Sequence, residues 1–171
     1  MIIRRETIAD QPAVDAVTTA AFGRPESDQP PVETLLLQAL RRDEGWIETL
    51  SLVAANDEQV IGHVVCTRGW VADVAGLGLG PISVAPDHQR RGVGQALMHA
   101  IIGAADAAGE PFVALLGDPH FYGRFGFVEA SSLGVGAPDP SWGVHFQVRL
   151  LADRPATLNG TFRYAAPFAD L

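Results

Sequence analysis

The most restrictive segment of the sequence is an apolar strand that leads through a glycine-punctuated turn into a helix. It spans residues 79–96 and is LGPISVAPDHQRRGVGQA in one-letter code. Gly92 and Gly94 allow the backbone to curl so that its N–H groups point inward at the start of the helix, which forms a cradle for a phosphate group. Arg90 and Arg91 add positive charge at the mouth of this turn. The segment therefore predicts a site for a phosphorylated cofactor.

Size and composition indicate a single globular domain over residues 1–171. A globule of this size buries about 70% of its unfolded surface, and the apolar fraction of 47% against 19% charged residues excludes a disordered chain. The net charge of −8 would repel nucleic acid and anionic membranes and attract cationic amines. The basic pair in the glycine turn is therefore a local exception that favours an anion site.

The cellular environment is predicted from the cysteine content and the N-terminus. The single cysteine, Cys66, has no partner for an internal disulfide, and the first residues lack the apolar stretch of a signal peptide. The sequence also contains no run of 18 apolar residues. We expect a cytoplasmic protein, with Cys66 as a small buried hydrophobic residue rather than a nucleophile.

Periodicity and turn residues predict a mixed α/β order before the glycine turn. The predicted elements are a strand over 2–5, a helix, a loop over 23–31, a second helix ending near Gly45, a hairpin of strands 51–55 and 60–70 around Asn56, Asp57 and Glu58, and a third strand over 77–84. Alternation in the second hairpin strand puts Ile61, His63 and Val65 on one face and Val60, Val64 and Cys66 on the other.

The second half of the chain predicts a crossover and a return to antiparallel strands. The helix after the glycine turn ends at Gly109, and the unbroken apolar run 112–116 reads as a strand covered on both faces, parallel to residues 82–84. A short helix or turn over 118–124 and strands over 127–130 and 144–151 follow. The extension 152–171 has no clear period, and only its aromatic residues Phe162, Tyr164 and Phe168 suggest packing against the domain.

This order and two motifs resemble the GNAT N-acetyltransferase superfamily. The six residues 89–94, QRRGVG, match the acetyl-CoA signature Gln/Arg-x-x-Gly-x-Gly/Ala, and residues 121–127, FYGRFGF, resemble the family's Tyr-x-x-x-Gly-Phe element about thirty residues later. With LLGDP at 115–119 in front, the sequence is similar to a bacterial subgroup of predicted acetyltransferases. The resemblance covers residues 1 to about 150.

The resemblance implies an α+β fold with a central mixed, mostly antiparallel sheet flanked by helices, in which a parallel strand pair splays around the CoA site. It implies that the edge of Ile82, Ser83 and Val84 binds the pantetheine arm like an added strand, and that Tyr122 is the general acid that protonates the leaving thiolate. The residues implied to hold the CoA diphosphate are Gln89, Arg90, Arg91, Gly92, Val93 and Gly94. Leu115 stands where many members carry an asparagine that contacts CoA.

Plainer interpretations exist for each of these residues. A Gly-x-Gly turn is common without a ligand, and Tyr122 is compatible with a half-buried structural tyrosine. No general base stands out, and a water chain is an alternative to the candidates, which are Glu33, His63, Asp73, Asp118 and His120. Trp46, Trp70 and Trp142 are candidates for an acceptor pocket or for the core. The five histidines lack the paired spacing of a metal site, so no metal is expected.

The sequence thus predicts an acetyl-CoA-dependent N-acetyltransferase in which a primary amine attacks the thioester directly in a ternary complex. The acceptor is expected to be a small-molecule or peptide amine, with no nucleic-acid or membrane partner, and a homodimer is left open. Two alternatives remain, namely a non-catalytic acyl-CoA-binding sensor module and a transferase for a longer acyl-CoA. Fold alone carries no information on the acceptor.

Overall fold

Nine strands and four α-helices are found in the computed structural model, which describes residues 1–24, 29–57, 59–152 and 157–170. The strands are β1 (Ile2–Arg5), β2 (Ser51–Asn56), β3 (Gln59–Val71), β4 (Val74–Val84), β5 (Phe112–Leu116), β6 (Val128–Glu129), β7 (Val135–Gly136), β8 (Phe146–Leu150) and β9 (Gly160–Arg163). The helices are α1 (Gln11–Phe22), α2 (Val32–Leu40), α3 (Val93–Ala107) and α4 (Pro119–Tyr122). None of the helices in these ranges is long and apolar enough to cross a membrane.

The predicted elements up to β8 are confirmed, with shifts at their ends. The largest shift concerns α2, which ends at Leu40 rather than near Gly45, because the chain leaves the helix through consecutive turns. Parts of three predicted segments lie outside the described residues: 25–28 in the loop, Glu58 in the hairpin turn, and 153–156 with 171 in the extension.

The sheet is mixed and mostly antiparallel, as predicted. Its order is β1-β2-β3-β4-β5-β8-β6, and within this path only the β4–β5 pair is parallel. Helix α3 covers one face, where Leu97 and Ile101 pack in the largest hydrophobic cluster. Helices α1 and α2 cover the other face, where Val14 and Leu37 pack against β2 and β3. The sheet is therefore the middle layer of three.

The parallel pairing lies closer to the start of β4 than the sequence predicted. Strand β5 pairs with Leu77 and Gly78, and not with residues 82–84. Beyond Gly78 the two strands part. The β3–β4 register shifts at the same place, since two β4 residues, Gly80 and Pro81, stand opposite one residue of β3. Residues 82–84 thus have β3 on one edge and no described strand paired to the other.

A bulge also overturns the predicted faces at the start of β3. Ala54 pairs with Gly62 and Ala55 with Val60, so Ile61 is the extra residue in β3. Ile61 consequently packs with Val64 and Cys66 on the α3 side, and Val60 packs with Val65 on the α1 side. A strict period of two cannot anticipate a one-residue insertion.

The described residues of the C-terminal extension adopt regular structure although their sequence has no clear period. Strand β9 pairs with the end of β3 through Trp70–Arg163 and Val71–Phe162, on the edge that β2 leaves free, and also pairs in parallel with β7. The segment Ala166–Asp170 forms a 3-10 helix. The expected packing of Phe162, Tyr164 and Phe168 against the domain is confirmed, since each contacts a buried cluster.

Glycines in the strands create the surface on which this extension packs. The ring of Phe162 lies against Gly69 of β3, and the ring of Tyr164 lies against Gly78 of β4. A Cβ atom at Gly78 would be 2.6 Å from Cδ1 of Tyr164. The absence of side chains at these positions therefore provides the space for two aromatic rings.

We expect Gly78→Ala to lower the free energy of unfolding by about 1–3 kcal/mol, because the added methyl overlaps the half-buried Tyr164 ring. The matched control is Gly103→Ala in α3, where a Cβ meets nothing within 4 Å. Helix propensity predicts that the control gains roughly 0.5–1 kcal/mol. Denaturant unfolding of both variants measures the difference. Equal stability of Gly78→Ala and the parent would show that the packing of the Tyr164 ring does not require glycine at this position.

Candidate active site

The glycine turn connects the end of β4 to the start of α3. A 3-10 turn over Pro86–His88 comes first, and Gly92 is then the N-terminal cap of α3 with φ of +84°, in the left-handed region that favours glycine. Nε2 of Gln89 donates a hydrogen bond to the carbonyl oxygen of Val84 at 3.1 Å, which ties the turn to the strand. The first N–H groups of a 15-residue helix thus border the turn.

A cavity of about 580 Å³ lies at this turn. Seven residues predicted for cofactor binding line it, namely Ile82, Ser83, Val84, Gln89, Arg90, Gly92 and Gly94. The other two do not line it: Arg91 is exposed to solvent, and Val93 is buried in the α3-side core. The strand edge and the glycine turn therefore form one concave surface.

Residues from two other elements complete this cavity. Ala21 and Phe22 come from the end of α1, and Phe121 and Arg124 come from the FYGRFGF segment. The Arg124 guanidinium lies over the Phe121 ring at 4.9 Å, and its Nε donates to the Phe121 carbonyl oxygen at 3.3 Å. A second cation thus faces the glycine turn. Arg124 was not among the predicted site residues, although it lies inside the FYGRFGF motif.

A larger groove of about 1340 Å³ adjoins the first cavity, since Phe22 and Ile82 line both. The bulged part of β4, Tyr122 and Leu116 line the groove, together with aromatic residues of the C-terminal extension. Trp70 and Trp142 also line it, whereas Trp46 packs in the clusters beneath α2. The two cavities form a continuous path across the parted strands β4 and β5.

Tyr122 is held rigidly at the end of α4. Asp118 caps this short helix by accepting a hydrogen bond from the N–H of His120 at 2.9 Å. The Tyr122 ring lies against the backbone of Gly117, where any side chain would overlap it, and meets the edge of Phe121 at 4.9 Å. Burial raises the pKa of Tyr122 to about 12, and the negative charge of Asp118 adds to the effect. The phenol is therefore protonated at neutral pH.

The candidate bases occupy different surroundings. Glu33 lines the groove, while Asp73, Asp118 and His120 are exposed outside it. His63 is fully buried on the α1 side of β3, where its Nε2 lies 2.9 Å from Ser51 Oγ and 3.2 Å from a carboxylate oxygen of Glu6.

The Glu6 carboxylate also accepts a hydrogen bond from Arg41, at 2.7 Å. Burial lowers the pKa of His63 and outweighs the opposing effect of Glu6. This group of polar side chains joins the end of α2 to the sheet and does not reach the groove.

Two further residues have clear structural roles. Leu115 is buried in the α3-side core and has no contact with either cavity. Cys66 is fully buried in β3, and burial raises the pKa of its thiol. Across the described ranges, no group of three histidine, cysteine, aspartate or glutamate side chains is arranged to hold a metal ion.

Comparisons with a family model and with related sequences both identify acetyltransferases. Residues 48–129 match the family model described as an acetyltransferase (GNAT) domain. The uncharacterized N-acetyltransferase YhbS of Escherichia coli K12 is 36% identical over 163 residues, which is 94% of this chain and 92% of that protein. YjhQ of the same organism, also an uncharacterized N-acetyltransferase, is 31% identical over 93% of this chain and 89% of its own length.

Solved structures agree with the sequence relatives. The crystal structure of YhbS from E. coli in complex with CoA has a TM-score of 0.87 and 32% identity, covering 98% of this chain and 91% of that one. A GNAT family acetyltransferase from Brucella melitensis in complex with acetyl-CoA has a TM-score of 0.78 and 32% identity, covering 98% and 97%.

The burial of the tyrosines has a direct spectroscopic consequence. The chain has two, Tyr122 and Tyr164, and burial raises the pKa of each. We expect the native protein to form no tyrosinate at pH values near 10, where an exposed tyrosine titrates, and the denatured protein to titrate there normally. Ultraviolet absorbance during a pH titration measures this. A native phenol ionising near pH 10 would show that its hydroxyl is open to solvent.

Proposed function

The chain belongs to the GNAT family of N-acetyltransferases, and from this premise we propose that it transfers the acetyl group of acetyl-CoA to a primary amine by direct attack in a ternary complex. The observation that carries the proposal is the junction of the two cavities between the parted strands β4 and β5. One cavity has the features of a nucleotide-phosphate site, and the other has room for an acceptor. The relatives crystallised with CoA and acetyl-CoA support the choice of cosubstrate.

Acetyl-CoA suits the smaller cavity for two reasons. The backbone N–H groups of residues 90–94, at the start of α3, would donate to the diphosphate, whereas the N–H of Gln89 donates to the Pro86 carbonyl oxygen. Arg90 and Arg124 supply cations beside them. The edge of Ile82, Ser83 and Val84 that no described strand occupies would bind the amide groups of the pantetheine arm, which would share the Val84 carbonyl oxygen with Nε2 of Gln89. The thioester would then reach the junction near Tyr122.

The chemical step forms a C–N bond and breaks the C–S bond of the thioester. The amine nitrogen attacks the carbonyl carbon, and the proton that it loses ends on the sulfur of CoA. A backbone N–H near Val84 would polarise the carbonyl oxygen. The chain's own contribution is mainly to hold the two reactants together.

The raised pKa of Tyr122 limits how it can act as a general acid. A phenol with a pKa of about 12 faces a thiol whose ordinary pKa is about 8.5. Complete proton transfer that leaves a phenolate would therefore be uphill by roughly 5 kcal/mol. Tyr122 would instead donate to the sulfur while it recovers a proton from the attacking nitrogen, so that no free phenolate forms.

A covalent acetyl-enzyme is disfavoured by the position of Cys66. It is the only cysteine in the sequence, it is fully buried, and its thiol pKa is raised, so the nucleophilic thiolate is both scarce and inaccessible. This supports direct transfer over a two-step mechanism.

Gly92→Val is expected to abolish the rise in melting temperature that acetyl-CoA produces in the parent. The left-handed φ of +84° strains a β-branched residue, and the side chain would project from the turn proposed to hold the diphosphate. Gly103→Val in α3, away from both cavities, is the control that should keep the shift. Undiminished acetyl-CoA binding by Gly92→Val would contradict the cofactor assignment.

Tyr122→Phe is expected to lower kcat by roughly 10²-fold or more, because the hydrogen-bond donor to the leaving sulfur is lost. The ring is retained, so the melting temperature and the Kd for acetyl-CoA should remain unchanged. Steady-state kinetics with calorimetric binding on the same variant separates the two effects. If kcat is unchanged while chemistry limits the rate, the tyrosine is structural and water protonates the thiolate.

A further inference from the structure

The larger groove has two chemically different walls. Its aromatic wall comes from β3, the segment before β8, and the C-terminal extension, and consists of Trp70, Trp142, Phe162, Tyr164 and Phe168. Its acidic wall comes from α2 and the turns that follow it, and consists of Glu33, Asp43 and Glu44. A ligand that satisfies both walls must be apolar over most of its surface and positively charged at one point.

The aromatic wall is preformed. The Tyr164 ring stacks on Phe168 at 4.3 Å and meets the edge of Phe162 at 4.7 Å. The Tyr164 ring also lies against Gly78, as described above. Rings locked by their neighbours provide a flat apolar surface whose ordering costs little when a ligand binds.

The charge of the groove is negative. Among the described residues, its lining has three carboxylates and one guanidinium, that of Arg163, which lies over the Trp70 ring at 5.2 Å. Asp43 is partly satisfied by the N–H of Gly45 at 2.8 Å. Glu33 and Glu44 form no ion pair or hydrogen bond with any residue that the structure describes. Two carboxylates are thus available to a cation.

We infer that the acceptor is a small primary amine with an aromatic body and no carboxylate of its own, an inference that rests on the proposed acetyl transfer. The aromatic wall binds the body, and Glu33 attracts the ammonium form and orients it before it loses its proton. A carboxylate on the acceptor would face the like charges of the acidic wall. A polyamine would leave the aromatic surface uncovered and exposed to water.

Four amines test the inference by varying the aromatic body and the charge. 2-Phenylethylamine has both features, ethylamine lacks the ring, phenylalanine adds a carboxylate, and spermidine carries charge without an aromatic body. With saturating acetyl-CoA, we expect kcat/KM for 2-phenylethylamine to exceed the values for the other three amines by about 10²-fold.

The variant Glu33→Gln tests whether Glu33 is the residue that attracts the ammonium group of the acceptor. It should raise KM for 2-phenylethylamine by roughly 3- to 10-fold and leave KM for acetyl-CoA unchanged, because Glu33 lines the larger groove only. Glu48→Gln is the control, since Glu48 is exposed outside both cavities and should change neither value.

The outcomes separate the two proposals. Faster acetylation of ethylamine, phenylalanine or spermidine overturns the inference and leaves acetyl transfer standing, as does an unchanged amine KM in Glu33→Gln. Absence of acetyl-CoA binding by the parent protein overturns the proposed function itself. Binding of acetyl-CoA with no transfer to any of the four amines overturns the inferred acceptor and keeps the cofactor site.

Discussion

The parting of β4 from β5 is the constraint on which the rest of the molecule depends. Two consecutive strands in a parallel pair normally continue their ladder, but here it stops at Gly78, and the following bulge at Gly80 and Pro81 bends β4 away. The gap leaves backbone groups of β4 without a strand partner and separates β4 from β5 within the sheet. Residues next to this gap line both cavities. The shape of the cavities therefore depends on how these two strands are arranged.

The surroundings of the gap are stabilised by rings packed on bare backbone. Gly69, Gly76, Gly78 and Gly117 each face an aromatic ring that a side chain would displace. Close contacts with the neighbouring backbone and with neighbouring rings hold these rings in place. This packing fixes Tyr122 and Tyr164 in the lining of the larger groove, and no residue that the structure describes forms a hydrogen bond with either hydroxyl.

The sequence predicted those features that depend on local pattern. The strand, glycine turn and helix over 79–96 follow from apolar runs and glycine positions, and seven of the nine residues expected to bind the cofactor line one cavity, while their role in binding stays a prediction. The failures depend on tertiary geometry. The bulge at Ile61 changes the faces of β3 without a compositional signal, and the short strand β9 is formed by pairing with the end of β3 rather than by its own alternation. Arg124 and Phe22 reach the smaller cavity from elements whose placement only the fold determines.

The two halves of the site are encoded in different parts of the chain. The glycine turn and Tyr122 lie within residues 48–129, the part that matches the family model. The acidic wall lies before that range, and most of the aromatic wall lies after it. Under the proposed function, substitutions in α2 or in the C-terminal extension would therefore alter the choice of acceptor and leave the proposed cofactor site intact.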